Sequence, residues 1–326
     1  MRADWKPDRA FRRFVSSAHG AAGRAWLAEL PALVEAYAAR RSLAVGDPYP
    51  LSYNFVVPVD GPEGAAVLKI APPGTDHLVR EAAVLRAWDG QGAVRVHDFD
   101  PDLNAFLMER AEPGTPLADD VTASGTAAAD DEATGVLAAT MRALWRPAPP
   151  GLDVPDIAGH AKHFAWYRAK FGADGPIGGG MVDRAAELFD VLVGTSGARV
   201  LLHGDLHHDN VLRAGRDDGP AWLAIDPHGA VGDPGFDTAQ LLWNPGDFLA
   251  GSLGCTAGRV LDARLDRLAA DLEGTVPGAD LGRDRLTAWA FVKAVLSEVW
   301  MVQDFGRPGD SAFTVARLLD PKDAPA

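Results

Sequence analysis

Three side chains within one stretch have the types and the spacing that phosphoryl transfer needs. In the segment LLHGDLHHDNVL, which begins at residue 201, Asp205 is followed five positions later by Asn210, and a later apolar run ends on Asp226. A carboxylate such as that of Asp205 can accept the proton of an attacking hydroxyl. Asn210 and Asp226 carry oxygens of the kind that hold magnesium on nucleotide phosphates. The stretch therefore predicts transfer of phosphate from a magnesium-bound nucleotide.

The histidines of the same stretch leave a second interpretation open. His203, His207 and His208 could, together with the neighbouring aspartates, bind zinc or iron for hydrolysis. A metal hydrolase needs further clustered ligands, and only His228 lies nearby downstream. We therefore favour phosphoryl transfer, and we expect His203 to hold the loop in place and not to carry a proton.

The order H-x-D-x-x-x-x-N from His203 to Asn210 resembles the catalytic loop of kinases. With WLAIDPHGAVGDPGFD at 222–237 and GRAWLAELP at 23–31, the chain resembles the aminoglycoside phosphotransferase family, and within it the streptomycin 6-kinase and hydroxyurea phosphotransferase branch. The resemblance implies a bilobal, protein-kinase-like α+β fold, with a five-stranded antiparallel sheet and helices in the N-lobe and a mainly helical C-lobe. It also implies ATP and Mg²⁺ as cofactors and a small-molecule acceptor.

A lysine late in an apolar strand marks the expected phosphate contact of the N-lobe. Lys69 lies in a predicted strand at 65–70, and a predicted helix at 75–88 carries Glu81. A lysine inside a protein needs a partner. The resemblance implies that Glu81 is this partner and that Lys69 reaches the α and β phosphates. A surface position for Lys69 remains the alternative.

The loop expected to cover the phosphates lacks the Gly-x-Gly-x-x-Gly pattern. Its tip, Ser52, Tyr53 and Asn54, lies within the strand-like segment 51–59. The hydroxyl of Ser52 would contact phosphate, although a plain edge hairpin is also possible. Two further predicted strands, 94–99 and 105–110, complete the sheet. The resemblance implies that Glu109 and Ala111 belong to the hinge that contacts adenine.

The pattern of the chain changes after residue 111, so we expect two lobes. Residues 1–111 would form the nucleotide-covering N-lobe, and residues 112–326 the C-lobe with the catalytic loop, the metal site and the acceptor site. The polar segment 112–125 predicts a junction between them. Helices are expected at 8–17, 23–41, 130–145, 158–172, 180–194, 236–243, 258–273, 282–304 and 310–319.

Acceptor contacts are expected from two places in the C-lobe. Asp233 follows the expected metal ligand Asp226 and would face the acceptor. On the last long predicted helix, Trp300 and Asp304 share one face by four-residue spacing, with Glu298 beside them. The alternative for this helix is a packed tryptophan with solvated neighbours.

Composition limits the partners. The 326 residues include 31 basic and 45 acidic side chains, and the net charge of −14 disfavours nucleic acid and favours a cationic small molecule. A single cysteine and the absence of a secretory signal at the start predict a cytoplasmic protein. Lys293 and Glu298 interrupt the most apolar predicted helix, so no membrane association is expected. We expect a monomer.

These observations predict an ATP-dependent O-phosphotransferase that acts on a hydroxyl of a small polar molecule, an aminoglycoside of the streptomycin type, as in antibiotic resistance. The alternative acceptors are hydroxyurea, a sugar or another metabolite. A pseudokinase that binds nucleotide without catalysis is the rival from another class. The chain nevertheless carries the full set of residues that catalysis would need, namely Lys69, Glu81, Asp205, Asn210 and Asp226.

Overall fold

A computed structural model of the protein describes residues 7–216, 219–245, 251 and 253–321. The chain divides into two units, Met1–Gly114 and Thr115–Ala326. The sequence placed a division after residue 111, and the roles that it assigned to the two parts stay predictions.

The first unit contains the expected five-stranded antiparallel sheet. Its strands follow in the order β1-β2-β3-β5-β4. The predicted architecture is confirmed, although the sequence did not reveal the short edge strand β1. The elements are α1 (Arg9–Arg41), β1 (Ala44–Val45), β2 (Phe55–Gly61), β3 (Gly64–Ile70), α2 (His77–Trp88), β4 (Val96–Asp100) and β5 (Ala105–Glu109).

The first helix differs from the prediction of two separate helices at 8–17 and 23–41. The structure has one helical stretch, Arg9–Arg41, which breaks at Gly20, where φ is 55° and ψ is −130°. A residue with a Cβ rarely adopts this backbone conformation. The two arms contact each other, because the rings of Phe11 and Trp26 have centroids 6.2 Å apart.

The core of the first unit lies between α1 and the sheet. Apolar residues recur along α1 at helical spacing, and alternate residues of β2 point to the same side. Both sets are fully buried, so the sheet is fixed from one face by α1. The members include Val15, Leu30, Val34, Tyr37, Phe55, Val57, Val59, Leu68 and Ile70.

The second unit is mainly helical, as predicted. Two small sheets accompany the helices, one with the order β6-β8-β9 and one that pairs β7 with β10 antiparallel. The elements are β6 (Pro113–Pro116), α3 (Leu117–Ser124), α4 (Ala127–Leu144), a 3-10 helix (Ile157–His160), α5 (Ala161–Phe171), α6 (Gly179–Gly194), β7 (Val200–Leu202), β8 (Val211–Ala214), β9 (Trp222–Ala224), β10 (Ala230–Gly232), α7 (Ala257–Leu272), α8 (Arg283–Phe305) and α9 (Ser311–Leu318).

Two parts of the second unit differ from the sequence expectation. The segment 112–125 contains β6 and α3 instead of an irregular junction. The predicted helix at 236–243 is replaced by two short 3-10 helices, Pro234–Phe236 and Gln240–Trp243. Polar composition did not prevent α3 from forming, since its apolar residues Leu117 and Val121 are buried at four-residue spacing.

Helix α8 is the centre of the second unit. It packs against α5, α6, α7 and α9, and most of its residues from Leu286 to Val302 are buried. None of the helices in the described ranges is both long enough and apolar enough to span a bilayer. Through Lys293, which donates to the carbonyl of Gly204, the helix contacts the segment that holds the predicted catalytic residues.

Candidate active site

In the first unit, β3 and α2 bring Lys69 and Glu81 together. Lys69 Nζ donates to both carboxylate oxygens of Glu81 at 2.8 Å. Both residues are buried, with 2% and 4% of their surface exposed. A buried charge requires a partner of opposite sign, and this contact supplies it. The ion pair expected from the sequence is present, whereas its contact with nucleotide phosphates stays a prediction.

The positions of the other predicted nucleotide contacts of the first unit do not by themselves indicate that these residues bind nucleotide. Ser52 is exposed in a bend before β2. Glu109 ends β5, where its backbone N–H donates to the Arg95 carbonyl at 2.8 Å and its carboxylate accepts from the Arg95 N–H at 3.0 Å. Ala111 is buried. The N–H of Glu109 is thus engaged within the first unit, and the contacts of Glu109 and Ala111 with adenine stay predictions.

In the second unit, the catalytic stretch runs from the end of β7 into β8. Asn210 Nδ2 donates to the Asp205 carbonyl at 2.9 Å and lies 3.4 Å from Asp205 Oδ2. The backbone N–H of Ile225 donates to the Asn210 carbonyl at 3.0 Å. Because Ile225 precedes Asp226, the structure brings Asp205, Asn210 and Asp226 to one end of the β8–β9 ladder.

The side chains available there suit magnesium. Asn210 and Asp226 offer an amide oxygen and a carboxylate, which are the hard oxygen donors that Mg²⁺ prefers. Asp226 has φ 57°, a left-handed conformation that is uncommon for a residue with a side chain and that clusters at functional sites. Within the described ranges, no group of three or more His, Cys, Asp or Glu side chains is arranged to hold a metal ion.

Two histidines face the Asp205 carboxylate. His207 Nε2 and His228 Nε2 lie 3.7 Å and 3.8 Å from Asp205 Oδ2. Although burial raises the pKa of Asp205, the hydrogen bond and charge of His207 and the charges of His228 and Lys293 lower that pKa well below its usual range. Asp205 is thus a carboxylate at neutral pH, as a proton acceptor must be.

His207 is held between Asp205 and Asp209. Burial lowers the pKa of His207, but hydrogen bonds and charge interactions with these two carboxylates outweigh burial and raise that pKa to about 9. The opposite holds for His203, which is fully buried. Burial lowers the pKa of His203 to about 4, and its Nε2–H donates to the Ile225 carbonyl, with 2.9 Å between the two atoms. His203 is therefore a neutral, structural residue, which agrees with the expectation from the sequence.

A buried carboxylate and a buried ammonium hold the peptide just before Asp205. Asp237 accepts from the backbone N–H of His203 at 2.9 Å and of Gly204 at 2.8 Å. Lys293 Nζ donates to the carbonyl of Gly204 at 3.0 Å and of Phe236 at 3.2 Å. Hydrogen bonds to charged groups are stronger than neutral ones. Asp237 and Lys293 thus brace the peptide before Asp205, and Lys293 is a residue that sequence reasoning missed.

Two of the predicted acceptor residues are committed to internal contacts, which corrects their assignment. Asp233 is buried and caps the 3-10 helix Pro234–Phe236 by accepting from the Gly235 N–H at 2.8 Å. It also forms an ion pair with Arg285. Glu298 is also buried, and its carboxylate accepts from the Gly309 N–H. Both carboxylates therefore serve the packing of the second unit.

The assignment of Trp300 and Asp304 to the acceptor site stays a prediction, and two histidines lie beside Trp300. The half-buried ring of Trp300 meets His160 and His163 edge-on, with centroids 5.3 Å and 5.8 Å apart. Asp304 is exposed one turn further along α8. The only sequence signal for the histidines was their three-residue spacing at the start of α5, which by itself points to no site.

The fold is that of a small-molecule kinase. A thermostable mutant of an aminoglycoside phosphotransferase, solved with ADP and hygromycin B, matches 90% of this chain and 99% of its own with a TM-score of 0.61 at 15% identity. The choline kinase of Streptococcus pneumoniae matches 89% of this chain and 97% of its own with a TM-score of 0.59 at 14% identity. These likenesses establish the protein-kinase-like fold that the catalytic loop suggested.

Residues 50–305 match the family described as aminoglycoside/hydroxyurea antibiotic resistance kinase, and the chain belongs to this family of small-molecule kinases. The streptomycin 6-kinase of Streptomyces griseus is 37% identical over 295 residues, which cover 89% of this chain and 88% of the relative. The hydroxyurea phosphotransferase of Kitasatospora aureofaciens is 34% identical over 299 residues, covering 87% of this chain and 77% of the relative. The family resemblance read from the sequence is thus confirmed.

Proposed function

We propose that the protein is an ATP-dependent O-phosphotransferase that transfers the γ-phosphate of ATP to a hydroxyl of an aminoglycoside of the streptomycin type. The observation that carries this proposal is the ionised carboxylate of Asp205, which lies beside Asn210 at the end of the ladder that also presents Asp226. The similarity to streptomycin 6-kinases, at 36–37% identity, supports the acceptor class.

In the proposed reaction, Asp205 accepts the proton of the acceptor hydroxyl while the oxygen of that hydroxyl attacks the γ-phosphorus. The bond from that phosphorus to the β–γ bridging oxygen breaks, so that ADP leaves with the electron pair. Asn210 and Asp226 would hold Mg²⁺, which supplies charge neutralisation at the phosphates when bound. Lys69, oriented by Glu81, would bind the α and β phosphates, with Ser52, Glu109 and Ala111 as further nucleotide contacts.

Hydroxyurea is the second candidate acceptor, and the 34% identical hydroxyurea phosphotransferase supports it. Another sugar or metabolite comes third. The test is ADP release with ATP and Mg²⁺ in the presence of streptomycin, other aminoglycosides, hydroxyurea, amino sugars and nucleosides. Release stimulated by streptomycin supports the first proposal. Release with hydroxyurea alone would move the assignment to the second candidate.

Several wider features belong to the same proposal. We propose that the enzyme acts as a monomer in the cytoplasm, where ATP is available, and that its activity confers antibiotic resistance. Residues 1–111 would cover the nucleotide, and residues 112–326 would supply the base, the metal ligands and the acceptor site. The net charge of −14 supports a cationic acceptor and disfavours nucleic acid.

A further inference from the structure

A cavity lined by arginines lies between the two arms of α1 in the first unit. The arms meet at the break at Gly20, and residues from both of them line a space of about 390 Å³. Ligand pockets begin at about 300 Å³, so the space has room for a small molecule. We call it the arginine cavity, and its lining residues are Arg9, Arg12, Arg13, Ser16, Arg24 and Leu27.

Buried contacts fix the two arms relative to each other behind this cavity. Gly23 lies so close to the first arm that a Cβ at this position would come within 2.5 Å of the Val15 carbonyl oxygen. The rings of Phe11 and Trp26 meet across the arms, and both are buried. Because Arg24 directly follows Gly23, these contacts also fix the backbone from which Arg24 projects. The arrangement of the lining residues is therefore part of the folded structure.

The arginines of the cavity have no paired counter-charge. Within the described ranges, none of the four forms an ion pair, although acidic side chains outnumber basic ones in the chain by 45 to 31. Arg12 Nε donates to the Asp8 carbonyl at 3.4 Å, and the Asp8 carboxylate caps α1 through the Phe11 N–H. Other described arginines, such as Arg41 and Arg264, pair with aspartates. Like charges that line one cavity repel one another unless an anion lies between them.

The arginine cavity is separate from the proposed nucleotide site. Leu68 and Ile70 of β3 belong to the core between α1 and the sheet. Successive side chains of a strand point to opposite faces, so Lys69 points away from α1 and pairs with Glu81 of α2. The cavity on α1 and the ammonium of Lys69 therefore lie on opposite faces of the sheet. An anion in the cavity would not occupy the position expected for the α and β phosphates of ATP.

The side chains of the cavity suit phosphate groups. A guanidinium stays charged at physiological pH and binds phosphate through two parallel hydrogen bonds. The hydroxyl of Ser16 adds a further donor, and no carboxylate is among the described lining residues, which disfavours a cation. A single phosphate neutralises only part of the positive charge. A molecule with several phosphates can engage arginines of both arms at once.

We propose that the arginine cavity binds a small anion that carries two or more phosphate groups, at a site distinct from the nucleotide site. The arginines of the first arm would contact the anion from one side, and Arg24 of the second arm from the other. The inference goes beyond the proposed function and holds for any acceptor. Because the site is a cavity between two arms of one helix, we assign it to a free polyphosphate and not to the headgroups of an anionic membrane.

The test measures the binding of tripolyphosphate to the full chain by calorimetry, with EDTA present so that no metal complex forms. Arg13→Gln and Arg24→Gln each remove one guanidinium, one from each arm. Arg40→Gln makes the same change in the last turn of the same helix, outside the cavity. The double variant Lys69→Met with Glu81→Leu removes the ammonium of the proposed nucleotide site. Sedimentation with vesicles of phosphatidylglycerol tests the membrane as an alternative source of phosphate.

We expect saturable binding of tripolyphosphate that weakens as salt rises. Arg13→Gln and Arg24→Gln should each raise the Kd about tenfold, a loss of about 1.4 kcal/mol, because each removes a charged donor. Inorganic phosphate should bind at least about tenfold more weakly than tripolyphosphate, since it engages fewer arginines. Arg40→Gln and the double variant should bind tripolyphosphate within about twofold of the unmodified protein.

Three results would overturn the proposal. The first is the absence of saturable tripolyphosphate binding, and the second is an equal Kd for the unmodified protein, Arg13→Gln and Arg24→Gln. A Kd that rises only in the double variant would place the anion at the nucleotide site. The third is binding to vesicles that depends on Arg13 and Arg24 without any binding of free tripolyphosphate. None of these results depends on phosphate transfer to an acceptor, so this inference and the proposed function fail separately.

Discussion

Replacing Glu81 by glutamine is expected to destabilise the first unit strongly. The side chains of Lys69 and Glu81 are only 3% and 5% exposed, and their nearest atoms are 2.8 Å apart. At an effective dielectric constant of about 20, the attraction over that distance is about 6 kcal/mol, and the cost of desolvating both charges offsets part of it. Removing one partner leaves the other charge buried and unpaired. We therefore expect Glu81→Gln to lower the free energy of unfolding by about 3 kcal/mol.

The assay combines urea denaturation of the full chain with hydrogen exchange of β3 and α2, which reports on the first unit directly. The double variant Lys69→Met with Glu81→Leu removes both charges and should recover most of the lost stability, because an apolar pair needs no counter-charge. Arg110→Met is the surface control. Arg110 pairs with exposed carboxylates of Asp60 and Glu112, so its loss should cost less than about 1 kcal/mol.

Nucleotide binding then separates the two roles of the pair. The double variant should be stable yet bind Mg·ATP about tenfold more weakly, since no ammonium remains to contact the phosphates. The reasoning is wrong if Glu81→Gln loses less than about 1 kcal/mol, or if the double variant is no more stable than Glu81→Gln. Unchanged Mg·ATP affinity in the double variant would remove Lys69 from the nucleotide site.

Three further predictions concern the second unit. Asp205→Asn should leave Mg·ATP affinity nearly unchanged while turnover falls by about 10²-fold or more, whereas Asp226→Ala should also make nucleotide binding less sensitive to magnesium. Nucleotide titrations with and without Mg²⁺ test this difference. The opposite pattern would contradict the assignment of Asp205 as the proton acceptor and of Asp226 as a magnesium ligand. Lys293→Met leaves the Gly204 carbonyl without its charged donor, so we expect thermal denaturation to show a free energy of unfolding lower by about 2 kcal/mol. We also expect a lower kcat with an unchanged KM for ATP. The control Lys170→Met, at an exposed position, should change neither the free energy of unfolding nor kcat. The pKa of His203 is about 4 in the folded state and about 6.5 in the unfolded chain, so the unfolded chain takes up the proton first as pH falls. The free energy of unfolding therefore decreases between these two pH values, by up to about 3 kcal/mol. Melting temperatures between pH 7 and pH 4.5 should show a shallower fall in His203→Gln than in the unmodified protein, and equal slopes would refute the assignment.

The catalytic stretch could be predicted because its chemistry constrains residue type and spacing over a short distance. Asp205 and Asn210 belong to one tight turn, so their separation along the chain almost determines their separation in space. The Lys69–Glu81 pair could also be predicted, because a buried lysine requires a carboxylate and α2 follows β3 directly in the chain. In both cases the two residues are close in sequence, so the local sequence largely determines whether they meet.

The acceptor region could not be predicted in the same way. Helical spacing placed Trp300 and Asp304 on one face of α8, with Glu298 beside them, but it does not tell which other segment covers that part of the helix. The turn before α9 reaches Glu298 through the Gly309 N–H, and Arg285 pairs with Asp233. Lys293 was read only as an interruption of an apolar helix. Each of these contacts joins residues that are distant in sequence, so only the folded chain reveals them.

The most direct test of the proposed function is the transfer of phosphate to streptomycin itself. The purified protein, ATP, Mg²⁺ and streptomycin are incubated, and the phosphorylated product is identified by mass spectrometry and its position by NMR, with Asp205→Asn in parallel. The proposal predicts stoichiometric ADP and a streptomycin phosphate ester with the unmodified protein, and a rate at least about 10²-fold lower with Asp205→Asn. Equal rates for the two proteins, or ADP release without a phosphorylated acceptor, would contradict it.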